Sequence, residues 1–158
     1  MSDRGVFLAA FLTVVLLAAG AFAIPEFFVY ELLTSTVFVV IAVMVFFGDD
    51  KFPYMLGILA PVVWFVFKLL LGELFRDLRV LKAFLRGIPT GRLDTPLHGF
   101  ALLTAAVLLV VSARAWRKEV TDKFIGKTFI TALIVAVVWV GALAAWEFHM
   151  MSSGVAPH

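Results

Sequence analysis

The sequence predicts an all-α, polytopic integral membrane protein. Of its 158 residues, 63% are hydrophobic and 15% are charged, whereas soluble proteins are roughly 45–50% apolar and about 25% charged. The apolar residues form five long runs, each close to the roughly 20 residues that a spanning helix needs. We therefore expect a single membrane domain over residues 1–158 with five transmembrane helices, or four if one run fails to cross.

The first run covers residues 6–24 and contains no charged side chain. Arg4 before it and the small residues Ala21 and Ala23 near its end also fit a secretory signal peptide. The acidic Asp3 argues against the basic start of such a peptide. We expect this run to be retained as the first span.

The second and third runs cover residues 27–47 and 52–71. A connection as short as Pro25-Glu26 predicts that the first two spans form a tight antiparallel hairpin. Glu31 is the only Asp, Glu, Lys or Arg of the second run, and Lys68 lies near the end of the third, within snorkelling distance of the interface.

Residues 72–86 have a different pattern, with leucines at helical spacing on one face and basic residues opposite them. This pattern predicts an amphipathic helix lying in the membrane interface, where basic side chains bind anionic lipid or the acidic surface of a partner. The leucines are Leu74, Leu78, Leu81 and Leu85, and the basic residues are Arg76, Arg79, Lys82 and Arg86.

The fourth and fifth runs cover residues 97–116 and 128–146, and a tail begins at Glu147. Both runs contain small residues four positions apart, a spacing that lets helix backbones approach closely. These pairs are Ala101 with Ala105, Ala132 with Ala136, and Gly141 with Ala145.

An odd number of crossings brings several ionisable residues to one membrane level. The start of the second span, the end of the third, the start of the fourth and the end of the fifth must lie on the same side. These segments contain Glu26, Glu31, Lys68, His98, Glu147 and His149.

Two of these residues, Glu31 and Lys68, lie at similar depth on consecutive antiparallel helices, so we expect them to form an ion pair. A packing and anchoring role is the favoured interpretation, and a proton or ion pathway is the alternative.

The histidines supply the candidate cofactor contacts. Imidazole nitrogens ligate haem and hydrogen-bond to quinones, so His98 and His149 are candidates for either role. Both lie at helix ends, where interfacial or solvated histidines are ordinary, and this is the favoured interpretation. We expect no cofactor, with haem or quinone as the alternative.

No residue pattern predicts catalysis or a metal site. The chain has no cysteine, which excludes disulfides, thiolate metal sites and iron–sulfur ligation. Asp49-Asp50 resembles half of a carboxylate site for a hard cation, without the remaining ligands. The sequence has no catalytic or phosphate-binding motif. We therefore expect no enzyme.

The distribution of charge indicates membrane partners. The net charge is only +2 and the basic residues fall in two clusters on opposite sides of a span, so we expect no nucleic-acid binding. The basic clusters leave the orientation open. We expect an inner membrane, bacterial or organellar, as the location.

The leading functional hypothesis is a small non-catalytic subunit that scaffolds a larger respiratory, photosynthetic or transport complex, with other membrane subunits and lipids as partners. The alternatives are a membrane anchor that binds haem or quinone through His98 and His149, and a small homo-oligomeric channel or transporter that uses Glu31 and Lys68.

Overall fold

The computed structural model describes residues 2–48, 51–89, 95–120 and 126–152. Within these ranges all regular structure is helical, which confirms the predicted all-α class. The helices are α1 (Ser2–Ala23), α2 (Phe28–Phe46), α3 (Lys51–Leu70), α4 (Glu73–Leu85), α5 (Pro96–Glu119) and α6 (Gly126–Ser152), and a single 3-10 turn (Pro25–Phe27) links α1 to α2.

Five of the described helices are long and apolar enough to cross a membrane, which is compatible with a multi-pass membrane protein. They are α1, α2, α3, α5 and α6, in the places that the five apolar runs predict. The last helix extends beyond the predicted span of residues 128–146, because 147–152 contain no glycine or proline that would end a helix. Glu147 therefore lies on α6 and not in a tail.

The spanning helices alternate in direction. The Tyr54 hydroxyl near the start of α3 donates a hydrogen bond to the Asp3 carboxylate near the start of α1, so these two helices begin at the same end of the bundle. The α5 helix runs antiparallel to α1, since Gly5 near the start of α1 lies against Val111 in the second half of α5, and Gly20 near the end of α1 lies against His98 at the start of α5. This alternation agrees with five successive crossings.

Small residues set the closest helix contacts. Ala101, Ala105, Ala132 and Ala136 are buried, as their spacing predicts. The predicted pair of Gly141 with Ala145 behaves differently, because both residues are exposed on α6 in the part of the chain that the structure describes.

An aromatic cluster joins the middle of three helices. The Phe38 ring of α2 makes edge-to-face contacts with Trp64 of α3, at 5.6 Å between centroids, and with Trp139 of α6, at 5.9 Å. The Trp139 indole also donates a 3.0 Å hydrogen bond to the Leu33 carbonyl of α2. Such edge-to-face pairs add to the burial energy of large rings, so this cluster positions α6 against α2 and α3.

The amphipathic helix α4 folds back from α3 through Gly72, whose φ of 76° is a conformation that glycine adopts without strain. It packs on α5 at Gly99, where an added Cβ would lie 2.7 Å from the Leu81 Cβ. The predicted leucine face is divided, because Leu81 is buried while Leu78 and Leu85 are exposed. The face that packs on the bundle also carries Asp77, which the leucine pattern did not reveal.

Candidate functional site

A cavity of about 260 Å³ lies at one end of the bundle, where α2, α4 and α5 begin and α3 and α6 end. Eight of the thirteen residues in its wall carry charged or hydrogen-bonding side chains, and the other five are apolar. The polar wall consists of Glu26, Tyr30, Glu31, Lys68, Glu73, Arg76, His98 and Glu147, and the apolar wall of Phe27, Leu71, Trp146, Met150 and Met151.

Five of the six ionisable residues that the odd number of crossings brings to one level line this cavity. The sixth, His149, is exposed on α6 with its ring against Trp146. The reason is helical periodicity, since Glu147, Met150 and Met151 share the face of α6 that borders the cavity, and His149 lies on the opposite face.

Glu31 pairs with His98. Its Oε1 lies 2.6 Å from the His98 Nε2, and both side chains are largely buried. The contact does not count as a hydrogen bond in the structure, and it is a close charge pair whenever the imidazole is protonated. Gly20 of α1 lies against this pair, since a Cβ there would be in van der Waals contact with the same nitrogen, at 3.4 Å.

Lys68 has other partners. Its Nζ lies 2.8 Å from the Asp77 carboxylate and 3.1 Å from that of Glu73. The same ammonium group lies 5.7 Å from the centroid of the Trp64 ring, within the range of a cation–π interaction. Lys68 is therefore compensated by two carboxylates of α4 although only 5% of the residue is exposed.

The predicted ion pair between Glu31 and Lys68 is wrong. Lys68 binds acidic residues five and nine positions further along the chain, because α4 folds back across the end of α3. His98 of α5 supplies the partner of Glu31 in its place. The two residues still line one cavity, as their common depth predicts.

Three oxygen atoms of the cavity wall are buried and lack a hydrogen-bond partner among the described residues. We call them the open acceptors: the Tyr30 hydroxyl oxygen, the Glu31 Oε2 and the Glu147 Oε2. A buried polar atom left without a partner costs about 1–3 kcal/mol, so native structures normally supply a partner from water or a ligand. Tyr30 is only 9% exposed and Glu31 only 4%, so their oxygens in particular need a hydrogen-bond partner inside the cavity.

The other predicted site residues occupy separate places. The histidines do not face a common space, because His98 lines the cavity and His149 is exposed on the other face of α6. A quinone contact through His98 alone stays a prediction. Arg76 lies at the edge of the cavity, and Arg79, Lys82 and Arg86 are exposed along α4.

Sequence reasoning missed Tyr30, Glu73, Asp77 and Trp146. Glu73 and Asp77 lie four positions apart in a helix whose other charged residues are basic. This spacing places both carboxylates on one face. This is the signal that could have identified the partners of Lys68. Comparison with known proteins finds no family model, no curated protein and no solved structure that matches this chain.

Proposed function

We propose that this chain is a small multi-pass membrane protein that binds an amphiphilic molecule in the cavity between its helix ends. The observation that carries the proposal is the pair of buried open acceptors on Tyr30 and Glu31 beside a cavity of about 260 Å³. A ligand that donates hydrogen bonds would remove the cost of leaving these oxygens without a partner. We place the protein in a bacterial or organellar inner membrane.

The apolar part of the wall supports an amphiphile in particular. Leu71 and Met151 are exposed beside the polar residues, so a ligand whose polar end occupies the cavity can lay an apolar part along them. Drug-sized pockets measure roughly 300–1,000 Å³. The smaller volume here suits a headgroup or a small ring better than a whole large ligand.

We favour binding over catalysis because the strongest charges in the cavity compensate one another. Lys68 lies against Asp77 and Glu73, and His98 lies against Glu31. A general acid or base has to exchange protons with its substrate during the reaction, and groups held in close ion pairs are poorly placed for that task.

Native mass spectrometry of the protein, purified from its own membrane in mild detergent, tests the proposal. We expect a retained small molecule in the wild type and its loss in the double variant Tyr30→Phe and Glu147→Gln, which removes one open acceptor and the negative charge of another. Thr36→Val is the matched control, since Thr36 is exposed on α2 and its hydroxyl hydrogen-bonds within its own helix. A wild-type protein that retains nothing under gentle conditions would contradict the proposal.

A second candidate function is the scaffolding of a larger membrane complex, and the surface of α6 favours it. An added Cβ at Gly141 would meet no described atom within 4 Å. Ile134 and Val138 on the same helix are 57% and 66% exposed. Small residues on an exposed apolar helix permit close packing of a transmembrane helix from another subunit.

Co-purification tests this second function. We expect Gly141→Ile to release partner subunits from the protein extracted in mild detergent, because the larger side chain keeps a neighbouring backbone away. Val138→Ile changes an exposed position of the same helix without removing a small residue and serves as the control. A wild-type chain that is extracted as a lone monomer would argue against scaffolding.

A further inference from the structure

We infer that the cavity binds a primary ammonium group carried on an amphiphile, either the headgroup of an ethanolamine phospholipid or a free long-chain amine. This inference rests on the proposed function and specifies the polar end of the bound molecule. It follows from the charge of the wall, from the hydrogen-bonding capacity of the open acceptors, and from the aromatic rings beside them.

The charge of the wall favours a cation. Four carboxylates line the cavity against two permanently basic side chains, Lys68 and Arg76. Lys68 is already compensated by Asp77 and Glu73, and the Arg76 side chain is exposed at the edge. The Tyr30 hydroxyl lies in the electrostatic field of four carboxylates, those of Glu31, Glu73, Asp77 and Glu147. A positively charged ligand is attracted to this region and an anionic one is repelled.

The hydrogen-bonding capacity favours a primary ammonium group over other cations. An –NH₃⁺ group has three donors, and the open acceptors provide three oxygen atoms, two on α2 and one on α6. A quaternary ammonium group has no N–H and would leave the same oxygens without partners. A neutral quinone would leave the Glu147 carboxylate without a compensating charge.

The aromatic and apolar residues complete the site. The rings of Tyr30 and Trp146 line the cavity, and aromatic faces attract cations. Met150 and Met151 extend the wall with flexible apolar side chains that adapt to a hydrocarbon chain. Arg76 at the edge can bind a phosphate group, which only the phospholipid carries.

The test compares ligands that differ at the nitrogen alone. The purified full-length protein is titrated with an ethanolamine phospholipid and the choline phospholipid of the same acyl chains, and with dodecylamine and dodecyltrimethylammonium. Binding is measured by native mass spectrometry. We expect each primary ammonium ligand to bind at least about tenfold more tightly than its trimethylated counterpart, the ratio for roughly one charge-assisted hydrogen bond.

The variants show whether the preference for a primary ammonium group comes from hydrogen bonding or from the larger size of the trimethylated headgroups. Tyr30→Phe with Glu147→Gln leaves both ion pairs of the cavity in place and should reduce primary ammonium binding at least about tenfold. Thr36→Val should leave it unchanged. Arg76→Gln identifies the natural source, because it weakens the phospholipid alone if the phosphate is recognised and weakens neither ligand if a free amine is the occupant.

Two other outcomes distinguish the inference from the proposed function. Equal binding of primary and quaternary ligands would overturn the ammonium inference and leave the amphiphile site intact. So would tighter binding of decylubiquinone, or tighter binding of an anionic phospholipid that persists when Arg79, Lys82 and Arg86 are changed to glutamine. Binding of no amphiphile from any of these classes would overturn both.

Discussion

The ammonium group of Lys68 lies 2.8 Å from the carboxylate of Asp77, and these residues are only 5% and 4% exposed. The pair joins the end of α3 to the amphipathic helix α4. It therefore holds α4 against the bundle while forming part of the cavity wall through Lys68.

Removal of Lys68 tests this link. We expect Lys68→Met to lower the free energy of unfolding by about 3–5 kcal/mol, because it leaves the buried Asp77 carboxylate without its partner. Adding Asp77→Asn should restore part of the loss, since the second change removes the uncompensated charge. Chemical denaturation in detergent measures both variants, with Lys82→Met on the exposed side of α4 as control. A double variant that loses the sum of the two single losses would contradict the pairing.

Two helical glycines form a matched pair for testing the packing of α4. Gly99→Ala places a Cβ 2.7 Å from that of Leu81, so α4 must move, and we expect a loss of about 1–3 kcal/mol in the free energy of unfolding. Gly141→Ala meets no described atom within 4 Å and should be neutral or stabilising by about 0.5–1 kcal/mol, because alanine favours the helix. Equal effects of the two substitutions would show that α4 does not pack closely on α5.

Five crossings fix which ends of the helices share a membrane side. The absence of cysteine allows single cysteines to be introduced at the exposed positions Arg86, Met151 and Lys118. In intact vesicles, we expect an impermeant thiol reagent to label the first two from one side and Lys118→Cys from the other. Labelling of Met151→Cys and Lys118→Cys from the same side would show that α6 does not cross the membrane and would refute the five crossings.

The exposed basic residues of α4 should bind anionic lipid. Near an anionic surface each basic residue contributes about 1 kcal/mol at physiological ionic strength. Changing Arg79, Lys82 and Arg86 together to glutamine should reduce the number of anionic lipids retained in native mass spectrometry, and added salt should weaken binding by the wild type. Thr36→Val serves again as control. Retention that is insensitive to both the triple change and salt would exclude this surface as a lipid contact.

Run length, hydropathy and chain order predict the five apolar helices and the level at which the ionisable residues gather. Hydropathy and length identify the five apolar helices. A backbone N–H or C=O without a hydrogen bond is costly in hydrocarbon, and a helix satisfies all of these groups within one segment. Because each span reverses the direction of the chain, the ends of the odd-numbered spans and the starts of the even-numbered spans must lie on the same membrane side. This argument placed Glu31, Lys68, His98 and Glu147 at one level, and they line one cavity.

Which of these side chains meet depends on how the helices pack. Contacts at a given level depend on the rotation of each helix about its axis. Gly20 and Gly99 influence this rotation, because His98 lies close to Gly20 and Leu81 of α4 lies close to Gly99. They also depend on the turn at Gly72, which brings Asp77 to Lys68. Hydropathy is almost uniform around such apolar helices and carries little information on rotation, so Glu31 with His98 and Lys68 with Asp77 emerged only from packing.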